Sequence, residues 1–342
     1  MDEAFILVVS YIAIAVYICT VFGNILFIVV IQKDKKLRNS PNTFFLLSLA
    51  YSDFFFAIFI FLDIIILSNE VTIAYFEFFF NALASIYILV ALAVERYFAI
   101  LKPLVHMTRA RKCLLVKVLL AIYAVAIVLS APGYLISYGR KKIDNNLPNT
   151  ASNGTEVVPV WFQTLNRVYS FVLFIFGYIL PCAGIIFCYS RVIYRAWFRT
   201  DSKRSTDHGL VKARRKLTKL FILVTVIFVL TWTPTFGRLI VTEYHERNQN
   251  TSKFELFSML LGLVGAAANP VIFSFRCPKF RREVVKLLTC QWCFKPKIQP
   301  HSSNVIGKKS YSLTAMKSKR GNEAFAGPIS LISMSKLVLS WL

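Results

Sequence analysis

A chain of 342 residues is long enough for two or three soluble domains, yet 56% of it is hydrophobic, 15% aromatic with 31 phenylalanines, and only 17% charged. A soluble chain carries about a quarter of its residues charged. A mean hydropathy of +0.59, with several runs able to cross about 30 Å of hydrocarbon, excludes a soluble enzyme, a secreted disulfide scaffold and a disordered protein.

The predicted elements are seven apolar helices, roughly 5–31, 43–67, 73–101, 114–136, 169–194, 217–241 and 254–275. Each is too long for a buried strand and shows no alternation, so helices are the expected spanning structure. The net charge of +23 would point to nucleic acid in a soluble protein. Here it sets topology. Segments 33–38, 102–112, 191–219 and 276 onward hold 4, 4, 10 and 13 basic residues, and Arg96 and Lys117 bring that side to 33 of the 40. The positive-inside rule places this side in the cytosol and the N-terminus outside, and no nucleic-acid partner is expected. The sequons at Asn153 and Asn250 fall in outer segments, where glycosylation occurs. Only four residues precede the first span, so the first helix is expected to act as its own signal-anchor. No internal repeat suggests a duplicated transporter.

Polar residues inside a span are costly and therefore functional candidates. They are Asn24, Asp53, Asp63, Glu77, Asn81, Glu95, Arg96, Arg238 and Asn269. Asp53 lies near mid-span. Asn24 and Asn269 could join it in one network, or each could bond a neighbouring backbone; Glu95 and Arg96 could also snorkel to the cytosol. Pro132, Pro181, Pro234 and Pro270 each remove a helix hydrogen bond and can kink their spans.

Gly23-Asn24, Ser48-Leu49-Ala50-x-x-Asp53, Glu95-Arg96-Tyr97, Pro181 with Tyr189, Phe228-x-x-x-Trp232-x-Pro234 and Asn269-Pro270-x-x-Phe273 occur in that order. The chain resembles a rhodopsin-like (class A) G-protein-coupled receptor over about residues 5–295. The resemblance implies a seven-transmembrane helix bundle (5–275) after a short extracellular segment (1–4). Ligand binding outside would open the cytosolic face to a heterotrimeric G protein, with no enzymatic step. Arg96 would swing from Glu95 to the G protein, Tyr189 would support the active state, and Trp232 would report the ligand to the bend at Pro234. Asp53 and Ser85, with Asn24 and Asn269, resemble a sodium pocket, so a sodium ion is an implied allosteric modulator. Receptor kinases and arrestin are implied at the tail, and the plasma membrane as location.

Within 276–294, Phe280, Val284, Val285, Leu287 and Leu288 recur at helical spacing among Lys279, Arg281, Arg282 and Lys286. That predicts an amphipathic helix on the inner leaflet. Cys290 and Cys293 follow as candidate palmitoylation sites. The Ser/Lys-rich segment 295–342 is expected to be disordered, and its end, Ser340, Trp341 and Leu342, could add a strand to a PDZ domain.

The sequence departs from the resemblance in several places. Val71 stands where the family's extracellular disulfide begins, and 137–166 contains no cysteine, which predicts a looser outer face. Span four lacks its tryptophan, with Ile122 or Tyr123 nearby. Phe273 replaces a tyrosine, Gly265 an asparagine of the sodium pocket, and Arg214 the acidic partner of Arg96. High basal activity is the expectation that follows. Phe78 and Leu263 stand where amine receptors and opsins carry their ligand-binding aspartate and lysine. The expected cavity residues are Phe78, Phe79, Leu173, Phe174, Phe236, Leu239 and Met259, with Glu77, Arg238 and Glu243 towards the rim. They suit a lipid, an amidated peptide or a purine-like ligand.

Two other classes compete. A seven-helix transporter, channel or intramembrane enzyme would need paired acids or a histidine site at mid-membrane, but all four histidines lie outside the spans. A non-signalling scavenger or accessory receptor is opposed by the intact Glu95-Arg96-Tyr97.

Overall fold

A computed structural model describes residues 3–33, 38, 41–66, 71–102, 112–146, 159–195, 208–241, 249–276 and 278–289. Seven of its helices are long and apolar enough to cross a membrane. They are α1 (Glu3–Lys33), α2 (Pro41–Ile66), α3 (Val71–Leu101), α4 (Lys112–Asn146), α5 (Val160–Ile193), α6 (His208–Val241) and α7 (Gln249–Arg276). The amphipathic α8 (Pro278–Leu288) follows, and no strand occurs among the described residues.

The bundle closes α1 on α2 and α7, α6 on α7, and α2, α4 and α5 around α3. Burial follows this arrangement. Of the apolar window of α3, 67% is buried inside the bundle, against 17% for α4, so α3 is the central post and α4 faces lipid. Gly23 permits a close α1–α7 approach, since a Cβ there would lie 2.7 Å from Pro270 Cγ.

Three helices outrun their predicted spans by about nine residues or more. α4 continues to Asn146 rather than stopping near 136, α5 begins at Val160 rather than 169, and α6 begins at His208 rather than 217. The 35 residues of α4 measure about 52 Å at 1.5 Å each, well beyond the hydrocarbon core. Hydropathy ends where the bilayer ends, whereas backbone hydrogen bonding continues into water.

Tyrosine hydroxyls tie several of the seams. Tyr169 donates from α5 to Leu129 O of α4 at 3.0 Å. Tyr123 donates from α4 to Ser48 O of α2 at 3.4 Å and stacks on Phe80 of α3, so it spans the position left by the missing tryptophan. Gln32 of α1 donates to the Tyr51 hydroxyl of α2. In α5, Ile175–Ile179 forms a π turn, with Leu180 N–H bonded to Ile175 O. The next pair in that register would join Phe176 O to Pro181, which has no N–H. Tyr87 of α3 supplies the donor instead, at 2.7 Å from Phe176 O.

Cys19, Cys113, Cys182 and Cys188 are free thiols. At the outer ends of α4 and α5, buried Phe162 covers Gly139. With the Tyr169 bond, this joins the two helices without a covalent staple.

Candidate functional site

The first constellation is a polar seam at mid-depth between α1, α2, α3 and α7. Asp53 is 2% exposed, and Asn269 Nδ2 donates to its carboxylate at 2.8 Å. Asn81, absent from the expected sodium set, is its second polar neighbour, and its Oδ1 accepts from Ser52 Oγ at 2.7 Å. Ser85 is buried, and its hydroxyl has no hydrogen-bond partner among the described residues. Asn24 joins the seam by a different route. Its Nδ2 donates to Thr20 O at 2.9 Å and to Ala266 O at 3.4 Å, which ties α1 to the backbone of α7. Of the two sequence alternatives, backbone bonding holds for Asn24 and direct side-chain networking for Asn269. A cavity about the size of one water molecule separates Asn24 from Asn269, lined also by Phe27, Pro270 and Phe273.

Gly265 acquires a packing reason here. A Cβ at that position would lie 2.5 Å from Thr231 Oγ1, so a threonine of α6 fills the space where an asparagine side chain would stand. Thr231 turns its hydroxyl to the Ile227 and Phe228 carbonyls, both at 3.0 Å. Asn81 adds an oxygen beside Asp53, and Ser85 of the implied set keeps a hydroxyl unbonded among the described residues. One carboxylate with neutral oxygens fits a small hard monovalent cation, with one side-chain ligand fewer than the resemblance implied.

The second constellation closes the end of the bundle where α3 finishes. Arg96 is only 4% exposed and Glu95 8%, so neither snorkels to water. Arg96 donates twice to Glu95 Oε2, from Nη2 at 2.6 Å and from Nε at 2.8 Å. Its guanidinium also lies over the Phe221 ring of α6, 5.5 Å from the centroid. The side chain of Arg214, which replaces the expected acidic partner, lies outside the described residues, but α6 still meets the arginine, through an aromatic face and not an acid. Tyr189 of α5 is buried beside Thr225, Arg96 and Glu95. Tyr97 faces α5, stacking on Phe187 at 6.4 Å.

Phe273 lies against Phe27 of α1 at 5.1 Å, and Phe27 against Phe280 of α8 at 5.3 Å. Without a hydroxyl, Phe273 joins an aromatic triad that docks α8 under α1 and α7.

The third constellation is the outer half. Phe78, Phe79, Leu173, Phe236 and Leu239, expected to line a cavity, are all buried in a packed core. Phe78 meets Trp232 at 4.9 Å, Phe79 meets Phe236 at 6.0 Å, and Phe236 stacks on Tyr178 at 4.8 Å. Aromatic side chains of matched size close on each other, so these residues pack as the floor of the outer half. Arg238 is buried above this floor, and Glu77, Phe174 and Met259 are half-buried. Pro234 sits inside α6 between Trp232 and Phe236, so the proline turn and the aromatic floor are adjacent on one helix. Glu243, Asn153, Cys290, Cys293, Ser340, Trp341 and Leu342 lie outside the described residues, as do the side chains of Asp63, Val71 and Asn250.

The family model described as the 7 transmembrane receptor (rhodopsin family) matches residues 23–273, from the glycine beside Asn24 to the phenylalanine of the α8 triad. The chain belongs to this family. It is a G-protein-coupled receptor and not an enzyme. Galanin receptor 2b of Danio rerio is 26% identical over 309 residues, covering 87% of this chain and 79% of that receptor. Somatostatin receptor type 1 of Rattus norvegicus is 24% identical over 322 residues, covering 90% and 78%. Neuropeptide FF receptor 1 of Rattus norvegicus is 23% identical over 313 residues, covering 83% and 70%.

Sequence reasoning missed Phe221, Tyr178, Thr233, Tyr87 and Thr231 in this receptor. Phe221 had a faint signal: it lies seven residues before Phe228 on the same face of α6, the face that carries Trp232 four residues later.

Proposed function

We propose that this receptor binds an extracellular peptide against the outer aromatic half and transmits binding through the α6 bend to Arg96. The observation that carries the reading is the buried Arg96, held by Glu95 and Phe221 at the cytosolic end. Arg96 is the cation offered to the G protein when α6 moves away and withdraws Phe221. Trp232, packed on Phe78 and Phe228, carries the shift from floor to bend, and Tyr189 stands beside the arginine to support its released position.

Support for a peptide comes from relatives named for galanin, somatostatin and neuropeptide FF. Arg238 and Glu77, with Phe174 and Met259, would meet the ligand above the floor. The N-terminus is read as extracellular and the tail as cytosolic in the plasma membrane, from the basic-residue bias. Glycosylation at Asn153 and Asn250, palmitoylation at Cys290 and Cys293, and kinase, arrestin and PDZ contacts on the tail belong to the same reading. Asp53, Ser85 and Asn81 would hold a sodium ion, whose role there is to neutralise the buried carboxylate.

The test is coupling without added ligand, measured across a panel of G proteins in cells with matched surface expression, beside Arg96→Ala. A basal signal that falls at least tenfold in the variant supports the reading and supplies an assay for amidated and free-acid peptides. A signal equal in both proteins overturns the role of Arg96. If every peptide fails and a lipid or nucleoside extract activates, the peptide assignment is wrong.

A further inference from the structure

Two special backbone turns face each other between α5 and α6: the π turn at Ile175–Ile179 and the turn of α6 in which Pro234 removes a helix hydrogen bond and sets a bending point. One side chain joins them. The Tyr178 hydroxyl is bonded to Thr233 Oγ1, the residue immediately before Pro234, and reaches Val229 O at 3.5 Å. Thr233 in turn donates to Val229 O at 2.5 Å. The Tyr178 ring lies parallel to Phe236, two residues beyond the proline, at 4.8 Å and 18°. A single tyrosine thus grips α6 on both sides of its bend.

We propose that Tyr178 is a positioning residue that holds the α6 bend against the α5 π turn in the closed receptor, and that its pair with Thr233 breaks when α6 swings. A helix with a proline bend pivots there, and swinging its inner end moves Thr233 relative to α5. The inner end of the same helix carries Phe221, which covers Arg96. Thr233 lies at the exposed edge of the bundle, where the surroundings are hydrocarbon. Water does not compete for the bond there, so breaking it costs more than at a wet surface. The ring contact with Phe236 gives the outer floor a direct hold on the same side chain. A ligand that displaces Phe236 therefore loosens the grip.

This rests on the coupling reading above, so one readout must be independent of coupling. Tyr178→Phe keeps the ring and removes the hydroxyl, Thr233→Val removes the partner, and Thr233→Ser keeps it. Ligand-free G-protein activation, normalised to surface density, is expected to rise about threefold to tenfold in Tyr178→Phe and in Thr233→Val. The double variant should rise no further than either single one, and Thr233→Ser should stay at the wild-type level. In purified receptor, hydrogen exchange along the inner half of α6 should quicken in the first two variants alone. If exchange quickens but signalling stays flat, the clamp stands and the coupling reading fails. Unchanged or slower exchange in Tyr178→Phe, or fully additive effects in the double variant, would overturn the clamp.

Discussion

The inner and outer halves of the bundle are built on different principles. Inside, the framework is polar and directional, Asn269 to Asp53, Ser52 to Asn81 and Arg96 to Glu95, with the Phe221 ring over Arg96 as an aromatic addition. Outside, Trp232, Phe78, Phe79 and Phe236 meet through ring faces and edges alone. A polar group in hydrocarbon must find a partner, so the inner half has few alternative arrangements and suits a switch between two states. An aromatic packing tolerates small adjustments of angle and suits a floor that yields to a ligand. The π turn and the proline bend lie between the two regimes.

Removing a ring from the floor should have the largest effect on stability. Phe79 is fully buried, whereas Phe55 is 51% exposed towards lipid. Phe79→Ala leaves a cavity that the bundle cannot fill and is expected to cost about 3–5 kcal/mol, while Phe55→Ala should stay within about 1 kcal/mol, because lipid replaces the lost contacts. Thermal unfolding in detergent compares the two. Similar losses would mean that the floor is not tightly packed.

A smaller effect is expected where a polar bond reaches into the outer half. Tyr87→Phe leaves Phe176 O without its donor at a place where Pro181 offers none. The expected loss is about 1–3 kcal/mol, read as a lower unfolding temperature and faster exchange in the α5 segment around the π turn. No change would show that the carbonyl finds another donor.

The inner half was the more legible in sequence. Asn24, Asp53, Arg96 and Asn269 stand out because charge and amides are scarce in apolar runs, and their spacing placed one on each of four helices. The aromatic floor was not legible. With 31 phenylalanines, nothing in sequence separates Phe79, which is buried, from Phe55, which faces lipid, and Phe221 was hidden for the same reason. Gly265 was read as a loss, but its reason lies on another helix, in Thr231. The ends of α4, α5 and α6 were placed short because hydropathy marks the membrane and not the helix. The missing disulfide suggested a loose outer face; Phe162 over Gly139 and the Tyr169 bond join α4 to α5 there, while residues 147–158 of the loop lie outside the described residues.

The central claim is that on α6 an aromatic ring takes the place of an acid in holding Arg96 beside Glu95. The most direct measurement is ligand-free G-protein activation by Phe221→Leu, with Phe221→Trp beside it and surface density matched. Leucine keeps the apolar bulk but has no ring face for the guanidinium, so activation should rise about threefold to tenfold, the worth of one cation–ring contact, while the tryptophan variant stays at or below the wild-type level. Equal activation in the leucine variant and the wild type, or an equal rise in both variants, would contradict the account.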